Sequence, residues 1–430
     1  MKVVVAIDSF KGSLSSLEAG EAIAEGIKNR LDKIRKVNSV EAVEDRKTVE
    51  DRKVVEDRKV VEDRKTVEDR KVVEDRKVVE ERKVVDDIEV IVRPLADGGE
   101  GTVKALALGM NGRIETVEVT GPLGEKVSAE YGIIDATNTA IIEMSAAAGI
   151  TLIEENDRNP LNTTTYGVGE IICDAIKKGC RNFIVGIGGS ATNDGGVGML
   201  QALGYEFLDS ENRQVDHGAR GLADIKKISD EHVIPELKEC TFKVACDVTN
   251  PLCGEHGCSN IFGPQKGATP SMIADMDRWL GDYAKLTREK YSKADMYQAG
   301  TGAAGGLGFA FLSYTNAILE SGIKIVLEET KLEDYIKEAD IVVTGEGRLD
   351  AQTVMGKAPI GVAQIAKKYG KKVIAFAGCV TEDASVCNEY GIDAFFPIVR
   401  NISTLDEAMN PINARRNLVA TVEQVFGLII

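Results

Sequence analysis

The chain has 430 residues, a net charge of −16 and 43% apolar residues. That length accommodates two or three domains with sizeable cores, and the acidic balance argues against nucleic acid and anionic membrane surfaces as partners. Eight scattered cysteines, no apolar run of membrane length and no leader before the first strand point to a soluble, cytoplasmic protein with reduced thiols.

Lys2–Ile7 reads as a strand, followed by the loop Asp8-Ser9-Phe10-Lys11-Gly12-Ser13 and a helix opened by a capping box of Ser15 and Glu18. From Val43 to Val84 a hexad, V-E-D-R-K-V or V-E-D-R-K-T, repeats seven times, with Glu81 once in place of Asp. Each hexad is neutral, so the negative charge lies on the rest of the chain. A six-residue period turns successive valine pairs by about 240° on a helix and builds no apolar face. The block is expected to be a solvated helix or a helix-prone disordered insert, an expansion of a surface loop.

Ile88–Val92 is the next strand, and Leu95-Ala96-Asp97-Gly98-Gly99-Glu100-Gly101-Thr102 leads from it into a helix near Gly99–Leu108. The short runs Ile114–Val119, Val127–Ile134 and Thr139–Met144 predict an antiparallel meander, and with it a second domain entered near Leu95. Phe183–Ile187 runs into Gly188-Gly189-Ser190-Ala191-Thr192-Asn193-Asp194-Gly195-Gly196, and Phe242–Ala245 leads to Asp247. The return to the first domain is expected between Thr269 and Gln298. Ile341–Thr344 then leads into Gly345-Glu346-Gly347-Arg348-Leu349-Asp350, and the helix Pro359–Tyr369 and the strand Lys372–Ala377 follow. Strands alternating with helices imply a parallel sheet covered on both faces, with ligands beyond the carboxyl ends of its strands.

These strand-end loops combine glycines, which let a backbone approach a ligand, with carboxylates that would repel a bare phosphate unless a divalent cation lay between. The pattern predicts a Mg-dependent enzyme handling phosphates. No Walker A is present, since alanine follows Gly356-Lys357 and no glycine precedes it at the required spacing. Gly186-Ile187-Gly188-Gly189-Ser190-Ala191 fits a dinucleotide fingerprint only weakly. The cluster Cys246, Cys253, His256 and Cys258 lacks the paired spacing of common zinc sites.

Taken together, A-I-D-S-F-K-G-S, P-L-A-D-G-G-E-G-T, G-I-G-G-S-A-T-N-D-G-G, A-C-D-V-T-N-P-L-C-G, F-G-P-Q-K-G-A, G-A-A-G-G-L-G and G-E-G-R-L-D-A-Q-T resemble the type I glycerate kinase family. The motifs span nearly the whole chain outside the hexads, which are a departure from the short loop the family would place there. The resemblance implies an α/β fold of two domains. One is a discontinuous Rossmann-like or flavodoxin-like parallel-sheet domain, residues 1–94 and 285–430, carrying the insert 43–84. The other is a second α/β domain, residues 95–284, with the active site in the cleft between them. It further implies ATP-dependent phosphorylation of D-glycerate, with 2-phosphoglycerate favoured over 3-phosphoglycerate, and a possible homodimer.

Charge and loop position suggest the roles. Asp194 is expected to accept the hydroxyl proton, with Asp247 as the alternative. Ser190 and Thr192 would hold substrate or phosphate, Lys11 and Arg348 the glycerate carboxylate or the transferring phosphoryl group, and Asp97, Glu346 and Asp350 would bind Mg2+. Asp8, Ser9, Gly98, Gly99, Gly188, Gly189, Gly302, Gly305, Gly306, Gly345, Gly347 and Lys357 complete the expected binding surface. The bland readings are turn and cap roles for the Asp8–Ser13 hydroxyls and close helix packing for Gly302–Gly306. The runner-up function is a non-catalytic sugar-acid-binding or regulatory protein. A nicotinamide dehydrogenase is disfavoured because His217, His232 and His256 lie outside the glycine loops.

Overall fold

A computed structural model describes residues 1–37, 88–96 and 101–430 of the chain. The hexad block, and with it the expected insert 43–84, lies outside the described residues, as do Asp97, Gly98, Gly99 and Glu100.

The chain begins with β1 (Lys2–Val5), a run of buried valines, and after the helix 16–37 reaches β2 (Glu89–Val92), which pairs with β1 in parallel. The helix starts as expected: the Ser15 backbone N–H donates to Glu18 Oε2 at 2.8 Å, and the Glu18 N–H donates back to Ser15 Oγ at 3.3 Å. Next come β3 (Arg113–Thr120), β4 (Lys126–Ile134) and β5 (Thr139–Glu143), joined antiparallel as the alternating pattern predicts. β6 (Asn182–Gly186) adds to β5 in parallel; β7 (Glu206–Leu208) and β8 (Lys227–Ser229) form a separate hairpin-like pair. β9 (Thr241–Ala245) and β10 (Ala317–Glu320) extend the parallel half, giving a mixed six-stranded sheet of order β10-β9-β6-β5-β4-β3.

The last strands, β11 (Ile341–Leu349), β12 (Lys372–Val380) and β13 (Ala394–Pro397), complete a parallel five-stranded sheet of order β13-β12-β11-β1-β2. Alternation along β1 sends Val3, Val5 and Ile7 to one face, against Ile23, Ile27, Leu418 and Phe426 of the first and last helices. Val4 and Ala6 face the other way, into a cluster that runs on through Leu106 and Ala107 to Ile141 and Ile184 of the mixed sheet. The two sheets are therefore joined by a continuous apolar seam, with their strand-end loops beside it. The fold is α/β, with one parallel and one mixed sheet.

The expected return at residue 285 needs correction. It falls inside the unbroken helix Pro270–Lys290, whose Met276, Leu280 and Tyr283 are buried in the mixed sheet's core. β10 also belongs to that sheet, so the chain rejoins the first sheet only with the helix Gly322–Glu329, whose Ile323, Ile325 and Val326 pack in the seam. The helix Pro270–Lys290 is amphipathic and capped by Thr269, and nothing in such a pattern says which of two sheets its apolar stripe will cover.

Candidate active site

Three loops converge beyond the carboxyl ends of the strands. The first, after β1, folds back on itself. Phe10 N–H donates to Leu14 O at 2.8 Å and Leu14 N–H returns to Phe10 O at 3.1 Å, with Gly12 in the left-handed region (φ 76°) at the tip beside Lys11. Ser16 Oγ donates to Ile7 O at 2.7 Å and accepts from Leu95 N–H at the same distance, tying this loop to the segment entering the second sheet.

The second loop follows β6. Gly189 adopts φ 73°, and Ile150 N–H donates to its carbonyl at 2.8 Å. Ser190 and Thr192 meet a residue not singled out from the sequence. Lys266 Nζ donates to Ser190 Oγ at 2.8 Å and to Thr192 O at 2.6 Å, while the side chain is only 2% exposed. Burial pulls this ammonium down to about 8, against the favourable fields of Cys258 and Asp194. The third loop closes β11. Thr353 Oγ1 donates to Glu346 Oε1 at 2.8 Å, and Lys357 Nζ lies 3.4 Å from Glu346 Oε2 and 3.8 Å from Asp350 Oδ1. Arg348 Nε pairs with Asp350 Oδ2 at 3.2 Å. Burial raises the Glu346 carboxyl, with Thr353 and Lys357 opposing.

Two cavities open among these loops. One, of 440 Å³, is lined by Lys11, Gly188, Gly189, Ser190, Asp247, Lys266, Ala303 and Ala304 among others. The other, of 480 Å³, is lined by Asp8, Ser9, Lys11, Ser13, Glu346, Gly347, Arg348 and Lys357, and by apolar residues from the C-terminal segment. Lys11 belongs to both, so the cavities are neighbours across the junction of the sheets.

The expected proton acceptor is elsewhere. Asp194 is 0% exposed and lines neither cavity. Its Oδ2 accepts from Thr165 N–H (2.8 Å), Thr165 Oγ1 (2.9 Å) and Gly198 N–H (3.3 Å), and its Oδ1 from Gly196 N–H (3.1 Å). Burial pushes its carboxyl upward while these donors favour the charged form. The geometry makes it an internal brace beneath the glycine loop. Asp247, the alternative acid, does face the first cavity; its Oδ1 accepts from Gly322 N–H at 3.1 Å, linking the end of β9 to the returning chain.

Gly302, Gly305 and Gly306 also line neither cavity, and they serve packing. A Cβ on Gly305 would lie 2.1 Å from Thr192 O, and one on Gly302 2.2 Å from Pro251 O. The neighbouring Ala304 holds φ 53°, a conformation strained for a non-glycine residue, at the wall of the first cavity. Gly345 (φ 155°) admits the carbonyl of Phe376, which a Cβ would meet at 1.9 Å, and Asp350 caps the short helical turn Ala351–Val354. Among the described residues no group of three or more His, Cys, Asp or Glu is arranged to hold a metal ion. The thiols of Cys246 and Cys258 donate to the carbonyls of Val248 and Leu252.

Comparison with known proteins bears on what such a site handles. The model of the glycerate kinase family matches residues 72–430. A glycerate kinase of Haemophilus influenzae is 43% identical over 425 residues, 99% of this chain and 98% of the relative's length. A glycerate 2-kinase of Escherichia coli K12 is 41% identical over 427 residues, 98% of each.

The chain belongs to the glycerate kinase family.

A crystal structure from Salmonella typhimurium LT2, assigned as a glycerate kinase 2, superposes with a TM-score of 0.80 at 39% identity, covering 100% of this chain and 98% of that one. The chain is thus an enzyme, a kinase, rather than a non-catalytic binding protein. Lys266 is the buried, cavity-lining cation that was not singled out from the sequence. Its motif, F-G-P-Q-K-G-A, is among those that carry the family resemblance, yet a lysine in a Gly-Pro turn ordinarily lies in solvent. No helix among the described residues is long and apolar enough to cross a membrane.

Proposed function

We propose that the chain phosphorylates D-glycerate with ATP and releases 2-phosphoglycerate, with the acceptor held in the cavity of Gly188, Gly189, Ser190, Asp247 and Lys266. The observation that carries this reading is the buried Lys266 ammonium, aimed at the glycine loop of a 440 Å³ cavity that a carboxylate, Asp247, also lines. A small hydroxy acid needs that pairing: a cation and backbone N–H groups for its carboxylate, and an acid to take up a hydroxyl proton.

In the transfer, the bond from the γ-phosphorus to the β–γ bridging oxygen breaks and a bond from the substrate's hydroxyl oxygen to phosphorus forms. The hydroxyl proton passes to Asp247, and Lys11, shared by both cavities, offsets charge on the moving phosphoryl group. Magnesium supplies charge neutralisation on the nucleotide's phosphates and takes few protein ligands. Glu346 lines the second cavity and suits that role, with Asp97 as a further ligand and Asp350 behind it. The name of the Escherichia coli relative, a glycerate 2-kinase, favours the 2-hydroxyl. We further assign residues 1–94 with 321–430 to one domain and 95–320 to the other, closing on the substrate in the cytoplasm.

The test is an enolase-coupled assay with D-glycerate and Mg-ATP, run with and without phosphoglycerate mutase. Signal without mutase is expected, because enolase consumes only the 2-phosphate. Signal that requires mutase would reassign the product to 3-phosphoglycerate. Silence in both, from folded protein, would overturn the substrate.

A further inference from the structure

The second cavity has a composition unlike the first. The order β13-β12-β11-β1 sets its residues out along one edge of the parallel sheet. Beyond β1 and β11 stand Lys11, Arg348 and Lys357, with Asp8 and Glu346 among them. Beyond β13 the lining turns apolar: Ile398 and Val399, then Leu405 and Met409 of the short helix Leu405–Met409. Three strand spacings separate β13 from β1, on the order of 14 Å. The cavity is therefore charged at the side next to the first cavity and apolar beyond β13, with Met409 reaching between the two.

Ile398 is buried in the core behind this wall, whereas the other three side chains are not. Leu405 is 76% exposed, Val399 38% and Met409 37%, so the fold leaves them open to solvent at a cost that a flat apolar ligand would relieve. Met409 also reaches the cation-bearing turn, since a Cβ on Gly12 would lie 2.9 Å from its Cε. Ser13 lines the same cavity, and its hydroxyl has no hydrogen-bond partner among the described residues.

The geometry points to a purine nucleotide site in which the base lies on Val399, Leu405 and Met409 and the phosphates run along the strand ends toward Lys11. This rests on the proposed ATP-dependent transfer, and it adds the location and polarity of the nucleotide. The base end is furnished by the C-terminal segment after β13. The γ-phosphate end, ringed by Lys11, Arg348 and Lys357 with Glu346 available to a Mg2+ ion, adjoins the acceptor cavity. A volume of 480 Å³ matches a ligand of that size. The carboxylates at the charged end would repel an isolated anion, which fits a ligand that arrives with its own divalent cation.

Leu405→Asp and Val399→Asp test the assignment, both at positions exposed enough for the fold to tolerate them. ADP and inorganic tripolyphosphate are each titrated calorimetrically into wild type and both variants, with Mg2+ and without glycerate. Affinity for ADP is expected to fall at least tenfold in each variant, while tripolyphosphate, which has no base, binds within twofold of wild type. ADP affinity unchanged in both variants, equal losses for ADP and tripolyphosphate, or no ADP binding by wild type would each overturn the assignment. These titrations need no turnover. An enzyme inactive on glycerate whose ADP binding still depends on Leu405 would refute the proposed substrate and leave the nucleotide site standing.

Discussion

Asp194→Asn separates a catalytic carboxylate from a structural one. In the native loop Oδ2 accepts three hydrogen bonds and Oδ1 one, from donors within 3.3 Å. If the carboxamide oxygen of the variant takes the Oδ2 position, its NH2 faces Gly196 N–H, leaving a buried donor unsatisfied at about 1–3 kcal/mol. The three remaining bonds lose their charge assistance, roughly half their strength, for another 1–2 kcal/mol in sum. Relief of the burial cost of the charge offsets part of this, so a net loss of about 3 kcal/mol is expected. For a unit of 150–250 residues that corresponds to a fall in Tm of roughly 6–12 °C. The assay pairs a thermal melt with kcat measured well below the transition. Tm is expected to drop by that amount, with kcat at low temperature reduced less than about tenfold, short of the ~10²-fold typical of a lost general base. An unchanged Tm with kcat down a hundredfold or more would refute the brace and restore Asp194 as the proton acceptor.

Three further outcomes follow from the same geometry. Asp247→Asn keeps an oxygen to accept the Gly322 N–H, so Tm should move by less than about 3 °C while kcat falls by about 10²-fold or more; a kcat within tenfold of wild type would remove Asp247 from the transfer. Lys266, held down to about 8 by burial, should lose its charge as pH rises through that value, so kcat/KM for glycerate should decline above pH 8 through KM, and Lys266→Met should abolish that limb. The stability dependence has the opposite sense. The unfolded chain binds the extra proton between about 8 and the ordinary lysine value of 10.5, so across that window wild type should gain unfolding free energy with pH relative to Lys266→Met. Urea titrations at pH 7.5 and 9.5 check this, and equal pH dependence in both proteins would refute it.

Local signals carried much of the fold. The valine run of β1, the meander from β3 to β5 and the capping box before the first long helix are set by alternation and hydrogen-bonding groups a few residues apart, and each forms where the pattern puts it. The same holds for the strand-end loops: Lys11, Gly188, Gly189, Ser190, Asp247, Glu346, Gly347, Arg348 and Lys357 all come to line the two cavities. Roles within a loop were less legible. Asp194 and Asp247 are both acids in loops that follow strands, and what divides them is whether backbone N–H groups from Thr165, Gly196 and Gly198 close over the carboxylate. That depends on a helix start far away in sequence. Gly305 reads equally well as a ligand contact or a packing glycine until Thr192 O is seen against it.

Lys266 and the apolar wall of the second cavity fail to show in the sequence for opposite reasons. Lys266 looks solvated because it stands in a Gly-Pro turn, yet Asp194, 72 positions earlier, is part of what makes its burial tolerable. Leu405 and Met409 look like ordinary core residues of an amphipathic turn, yet the fold leaves them facing a cavity. In each case burial contradicts residue type: a cation inside, aliphatic side chains outside. Local consistency specifies most of a fold, so such contradictions collect where a ligand supplies the missing partner. Here one lies on each side of Lys11, the residue both cavities share. An anionic acceptor would complete the first and a flat, apolar base the second, leaving Lys11 where the phosphoryl group must cross.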